Sequence, residues 1–249
     1  MPDVKPYRWL AEYYDRIFGK GREPFTAARR HVLEQHMAGV TTACDLACGT
    51  GHTALEFAAR GIRTYAVDLS PGMCRAARTK VREAGANVRV IQADMRSFTL
   101  PEPVDLITCE FDALNHVPRR ADLSRVARAA SRALRPRRLF FFDVNNAAGF
   151  ASYWNGPYWA EVPGIVIVMR SGHRGTRAWS DVEWFIQEGQ LWRRRSERVE
   201  EVCWSAAEVE RAFLGAGFDE LAAIDPAPLL KIPHIGPGCR TLYLARKVE

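Results

Sequence analysis

Four carboxylates and two glycines in the first half of the chain are spaced to hold a nucleoside. Residues 44–53 read CDLACGTGHT, a short apolar run carrying Asp45 and ending at Gly49 and Gly51. Asp68 closes the next apolar run, Asp94 the third, and Glu110 follows a fourth. Glycine lets a backbone approach a ligand where a Cβ would intervene, and a carboxylate offers two oxygens to a pair of ribose hydroxyls. Gly49-x-Gly51-x-x-Ala54, with Asp68 as the ribose acid, fits the dinucleotide fingerprint literally. The same residues suit the amino-acid end and ribose of a sulfonium cofactor. Two features favour the second reading. Asp45 would set like charge beside a pyrophosphate, and Asp94 is placed to accept from an adenine amino group. His116, in NHV after the fourth run, is either a base for an acceptor proton near neutral pH or a loop histidine bonded to backbone.

These residues need a scaffold that brings strand ends together, and the apolar pattern supplies one. Helical patterns over Pro6–Phe18 and Glu23–Met37 precede a strand at Thr42–Ala47. Helix His52–Ala59, strand 62–68, helix Pro71–Ala84, strand 87–94, strand 104–111, helix Asp122–Leu134 and strand 138–145 follow. This alternation predicts an α/β, Rossmann-like sheet, mostly parallel, with helices on both faces. From Tyr158 to Val202 successive strands with an EGQ turn predict an inserted antiparallel unit. Ser205 and Glu208 form a capping box for a helix through Leu214, and two last strands, 218–225 and 239–247, suit an antiparallel hairpin at the sheet edge. The domains expected are 1–153 with 204–249 as the cofactor-binding part, and 154–203 as a cap.

Composition excludes several classes. The chain has 249 residues, 47% hydrophobic and 26% charged, with no run of about 20 apolar residues to span a membrane. No signal-peptide pattern opens it, so a cytoplasmic location is expected. Six cysteines without a C-x-x-C pair read as buried free thiols, with no metal expected. Net charge is +6, but thirty of the thirty-five basic residues are arginines scattered through every segment, so nucleic acid is not an expected partner.

The motifs DLACGTG, VDLSPGM, QADM and FDALNHV, with Tyr13-Tyr14-Asp15 before them and Gly217-Phe218 and Arg240 after, resemble the class I S-adenosylmethionine-dependent methyltransferases, small-molecule branch. The branch includes amino-sugar N-methyltransferases, and the resemblance covers nearly the whole chain. It implies a seven-stranded sheet with the last strand antiparallel and S-adenosyl-L-methionine as cofactor. By the resemblance, the loop of Ala47, Gly49 and Gly51 would lie against the methionyl part and Asp45 would organise its amino end. Asp68 would take the ribose, Leu69 and Met73 would pack on the adenine, and Asp94, beside the Met95 backbone, would take its amine. Glu110 would border the methionine end, and Tyr14 would fold over the sulfonium as a cofactor contact and catalytic candidate beside His116. One departure from the family pattern is Leu134-Arg135-Pro136-Arg137-Arg138, where relatives place Gly-Gly. A loop of different shape is expected there, with Arg135, Arg137 and Arg138 as a solvated helix end.

Methyl transfer to nitrogen or oxygen of a small molecule is the function expected; an RNA methyltransferase, an NAD(P)-dependent oxidoreductase and a non-catalytic cofactor-binding regulator are the alternatives. In the cap, Trp154, Tyr158, Trp159, Trp179, Trp184 and Trp192 with Arg170, Arg174, Arg177 and Arg193 suit a ring-bearing, anionic acceptor. The plainer reading is that the tryptophans pack the cap onto the main sheet, since Val182, Trp184 and Ile186 share one strand face.

Overall fold

A computed structural model describes residues 10–232 and 235–248. Two sheets organise the chain. The larger is ordered β10-β11-β5-β4-β1-β2-β3, from β1 (Thr42–Leu46), β2 (Arg63–Asp68), β3 (Val88–Gln92), β4 (Val104–Cys109), β5 (Leu134–Asn145), β10 (Phe218–Ile224) and β11 (Arg240–Lys247). Its pairs are parallel except that β11 runs antiparallel to both β5 and β10. The second is the antiparallel meander of β6 (Gly156–Val162), β7 (Ile165–Arg174), β8 (Arg177–Glu188) and β9 (Leu191–Val202).

β1 and β4 are central and covered on both faces, so every residue in them is buried and their sequences do not alternate. In β5 the Phe140–Phe142 run divides between the faces. Phe142 stacks on Phe213 at 4.4 Å and on Tyr243 at 5.0 Å, whereas Phe141 joins Leu106, Leu242 and Leu244 on the opposite side. Helices α2 (Glu23–Leu33), α3 (His52–Ala59), α4 (Pro71–Glu83), α5 (Arg120–Ala133) and α7 (Ala206–Leu214) flank the sheet. The Ser205–Glu208 capping box forms as expected.

Helix α1 (Leu10–Phe18) lies between the two sheets. Its Ala11, Tyr13, Tyr14, Ile17 and Phe18 pack with Met73 of α4 and with Ile165, Ile167, Val182 and Trp184 of the second sheet. The part of the expected first helix before residue 10 lies outside the described residues. None of the described helices is long and apolar enough to cross a membrane, and all six cysteines are buried with free thiols.

The structure departs from the sequence reading in three places. Helix α6 (Ala147–Tyr153) occupies a stretch with no clear helical pattern, and a short α8 (Ala227–Leu230) lies in the Pro/Gly-rich link. Residues 135–138 are not a separate loop. β5 begins at Leu134 and bulges, with the β4 register stepping from Val104↔Leu134 to Leu106↔Leu139 and Arg137 left-handed at φ 58°. Nor do these arginines form a solvated helix end. Arg135 and Arg138 reach the buried Asp105 at 2.9 and 3.3 Å, and Asp105 also accepts from Thr41 and Thr42 backbone N–H groups, both at 3.0 Å. A buried carboxylate needs such partners, and here they replace the glycine turn.

Candidate functional site

The C-terminal ends of β1, β2, β4 and β5 open at one edge of the sheet, where an α/β fold binds ligands. After β1 the chain turns through Ala47 (φ 56°), Gly49 (φ 54°) and Gly51 (φ 83°) into α3. A Cβ on Gly49 would meet nothing within 4 Å, whereas one on Gly51 would press on Ala77 at 3.2 Å. The two glycines therefore do different work: Gly49 keeps a cradle open and Gly51 lets α3 pack on α4. Asp68 fixes the cradle, since its two oxygens accept from Gly49 N at 2.9 Å and Ser70 N at 2.7 Å. Each oxygen retains a second lone pair for a hydroxyl. Burial raises the Asp68 pKa against these bonds.

Asp45 stands behind this loop. Its Oδ2 accepts from Ala54 N at 3.1 Å, in the first turn of α3, and Thr108 Oγ1 lies 3.4 Å from Oδ1. Burial first, then the Glu110 charge, push its pKa up to about 8, so it is largely protonated at neutral pH. The expected charge repulsion against a pyrophosphate is thus not what Asp45 provides. Instead it occupies one of the helix N–H groups that a pyrophosphate would need.

Glu110, at the end of β4, accepts from Arg29 Nε at 3.0 Å, and Arg29 also holds Glu56 at 2.7 Å. Arg29 is 2% exposed. The other Glu110 oxygen is buried and has no hydrogen-bond partner. An open glycine cradle, a ribose-spaced carboxylate and an unmatched buried carboxylate oxygen fit a nucleoside cofactor with a cationic amino-acid end.

Helix α1 is tied down over the loop. Asp15 accepts from Thr50 Oγ1 at 2.7 Å, meets His52 Nε2 at 3.0 Å and pairs with Lys80. Burial opposes ionisation, but these partners hold the Asp15 carboxyl well below the usual range. This brings Tyr14 within range of the Asp68 and Asp112 charges. Burial raises its pKa, Arg22 opposes, and the charges of Asp112, Asp15 and Asp68 add to the rise.

The remaining expected residues are less uniform. Leu69 is 62% exposed at the mouth, but Met73 is buried in the cluster under α1, and Met95 packs against the main core. Asp94 has both oxygens engaged by Arg96 Nε at 3.0 Å, so an adenine amine would share them. His116 Nδ1 lies 3.1 Å from the Glu200 carbonyl; a carbonyl only accepts, so Nδ1 carries the proton. In the cap, Trp184 is fully buried and donates to Glu197 at 3.0 Å, which is packing. Arg170 pairs with the half-buried Glu183, and Arg193 with Glu188 on exposed side chains. The Arg193 pair lies at the far tip of the β8–β9 hairpin, eight residues or about 26 Å of strand from Glu201.

Sequence reasoning missed a buried polar network beside His116. Arg240 pairs with Asp143 and, at 3.2 Å, with Asp112. Asn145 Nδ2 donates to Asp112 at 2.8 Å and to Glu201 at 3.2 Å, and Tyr153 donates to Asn145 Oδ1. Phe111 and Asp112 are successive left-handed residues, φ 58° and 54°, at a cost of about 1–3 kcal/mol each. The turn aims Asp112 N at Asp143 Oδ2, 3.0 Å away. One signal was present in the sequence: alternation along β9 puts Glu201 on the same face as Val199, an acid where an apolar residue belongs.

Comparison with known proteins agrees with this geometry. Residues 43–137 match the family described as a methyltransferase domain. YqeM of Bacillus subtilis (strain 168), provisionally named a methyltransferase, is 26% identical over 216 residues, 85% of this chain and 86% of its own length. The dTDP-4-amino-2,3,4,6-tetradeoxy-D-glucose N,N-dimethyltransferase of Saccharopolyspora spinosa is 30% identical over 129 residues; the chain spans half of it, 50%. The crystal structure of an S-adenosylmethionine-dependent methyltransferase from Clostridium acetobutylicum ATCC 824 superposes with TM-score 0.81 at 22% identity, covering 98% of this chain and 99% of that one, a likeness of fold. Residues 43–137 thus carry a methyltransferase domain, and the strand order of the whole sheet belongs to the fold of the solved S-adenosylmethionine-dependent methyltransferase.

Proposed function

We propose that the protein transfers a methyl group from S-adenosylmethionine to nitrogen or oxygen of a small molecule. The observation that carries this is the Gly49 cradle pinned by Asp68 at the sheet's open edge, with the Tyr14 ring within range of the Asp68 charge. The cofactor supplies a methyl group on a sulfonium, already a good leaving group. Ala47, Gly49 and Gly51 would receive its methionyl part, with the unmatched Glu110 oxygen facing the ammonium. Asp68 would hold the ribose, Leu69 and Asp94 would border the base with Met95, and Met73 would act through α1 rather than by contact. Asp45 would brace the loop by its bond to Ala54.

Placement is the main catalytic resource, because aligned reactants at about 3–3.5 Å recover much of the barrier. Tyr14 borders the place where the methyl and its acceptor would meet. His116 is held by Glu200 in the tautomer whose Nε2 can take a proton. Residues 154–203 would act as a cap over the acceptor. The sugar N,N-dimethyltransferase among the relatives supports a small-molecule acceptor. The test is calorimetry with S-adenosylhomocysteine, followed by a metabolite screen for its release from S-adenosylmethionine. Binding with turnover supports the reading, binding without turnover on any acceptor favours a regulator, and no binding refutes it.

A further inference from the structure

Rings and guanidinium groups touch in series from β11 to α1. The Arg240 guanidinium lies over the Phe25 ring at 4.9 Å, and the Phe25 and Phe111 rings meet at 5.5 Å between centroids. The Arg22 guanidinium is then shared by two rings, 5.2 Å from Phe111 and 5.1 Å from Tyr14. Arg22 is 13% exposed, and among the described residues its one ion pair is a 3.5 Å contact with Asp15, whose closer partners are Thr50, His52 and Lys80. A cation so little hydrated needs close partners, and the faces of Tyr14 and Phe111 supply them.

The two elements that Arg22 joins are not fixed by the chain around them. Helix α1 runs into α2 through the short turn Gly19–Arg22, in which neither Gly19 nor Gly21 is left-handed and a Cβ on either would meet nothing closer than 3.9 Å. No steric demand explains these glycines. What they give is a pliable joint, so α1 must be held by its contacts. On the other side, Phe111 is left-handed at φ 58°, a conformation that a bulky residue keeps only where its surroundings fix it. Arg240 and Asp143 fix the adjoining Asp112; the Phe111 ring has Phe25 and Arg22.

We infer that Arg22 is a positioning residue, clamping Tyr14 of α1 to Phe111 of the turn after β4 and so holding α1 down on a bound cofactor. This rests on the methyltransferase reading above and adds to it a residue that need touch neither cofactor nor acceptor. Asp15 ties the same helix to the glycine loop through Thr50, so a lifted α1 would loosen the cradle as well. The planar guanidinium suits the task, because it can stack on a ring where an ammonium is only a point charge.

The test measures release of tritiated S-adenosylhomocysteine from the full chain after a chase with excess unlabelled ligand. Arg22→Met keeps the length of the side chain without its charge. It should release the ligand at least about fivefold faster, with association within about threefold of wild type, because a clamp acts on escape. Phe111→Leu should act in the same way, and the double variant should be no more than about twofold faster than the faster single one, since both changes remove one contact. A smaller effect of Arg22→Met on release, a loss confined to association, or effects that multiply in the double variant would overturn the inference. Multiplying effects are what two independent packing defects would give. If Phe111→Leu fails to fold, Tyr14→Leu takes its place in the cycle and is read in the same way; if Arg22→Met fails, Arg22→Gln does. Failure of the cofactor reading is separate, because it shows as no S-adenosylhomocysteine binding to the wild type.

Discussion

The side of the open edge proposed for the cofactor and the side proposed for the acceptor are built by different means. On the cofactor side, Asp45, Gly49, Ala54 and Asp68 lie within 24 residues of one another, and the bonds that matter go to backbone N–H groups. On the acceptor side, Asp112, Asp143, Asn145, Glu201 and Arg240 come from four separate stretches and bond mainly through side chains. The first needs only two neighbouring strands, a turn and a helix to form. The second exists only once β9 and β11 are in place, so it depends on the whole fold and is free to vary with the acceptor.

That dependence sets the largest expected effect. Arg240→Ala would leave Asp112 and Asp143 buried without their cation, and loss of one partner of a buried pair costs about 3–5 kcal/mol. Urea unfolding should show a loss of that size; less than about 1 kcal/mol would mean the network is not a unit. Trp184→Ala is comparable, roughly 3–5 kcal/mol, because the indole is fully buried between the second sheet and α1. Chemical denaturation should show the loss while cofactor affinity in the folded fraction changes little. A soluble, equally stable Trp184→Ala that fails only in turnover would return this residue to acceptor recognition.

A smaller effect sharpens the cofactor side. Asp45 titrates near 8 in the folded protein and near 4 unfolded. The folded state therefore binds the extra proton in between, and the stability Asp45 contributes, fully present below about pH 4, is lost as pH rises through about 8. Asp45→Asn keeps an acceptor for Ala54 N and removes the titration. Thermal unfolding from pH 5 to 9 should show a flatter decline in the variant; parallel curves would contradict a protonated Asp45. The smallest effect is at the cap tip. Arg193→Glu breaks only an exposed pair with Glu188 and should leave stability within about 0.5 kcal/mol and turnover unchanged. A selective loss of anionic acceptors in the metabolite screen would show that the tip reads substrate after all.

Legibility in the sequence follows the same division. The bounds of α3, β9 and α7 could be read almost to the residue, because a glycine turn, an EGQ hairpin and a capping box are local signals. The seven-stranded sheet with its antiparallel last strand followed from the family resemblance, and the meeting of Asp45, Gly49 and Asp68 from strand ends around one glycine turn. Arg29 was not, since nothing in AARRH marks one arginine as buried against Glu110. The arginines after Leu134 were misjudged because the pairing of Arg135 and Arg138 with Asp105 crosses from β5 to β4, which no window along the chain displays. His116 was seen as a titratable group, but its neighbour Glu201 lies 85 positions away and is brought to it only by the second sheet.

The central claim is that cofactor and acceptor are held by two separable sets of residues. It is tested most directly by titrating S-adenosylhomocysteine into wild type, Asp68→Ala and Glu201→Gln side by side. The wild type should bind. Asp68→Ala should lose at least tenfold, since hydrogen bonds to an ionised acceptor contribute about 1.5–3 kcal/mol each, while Glu201→Gln should stay within threefold of wild type. Unchanged affinity in Asp68→Ala, or an equal loss in both variants, would contradict the account.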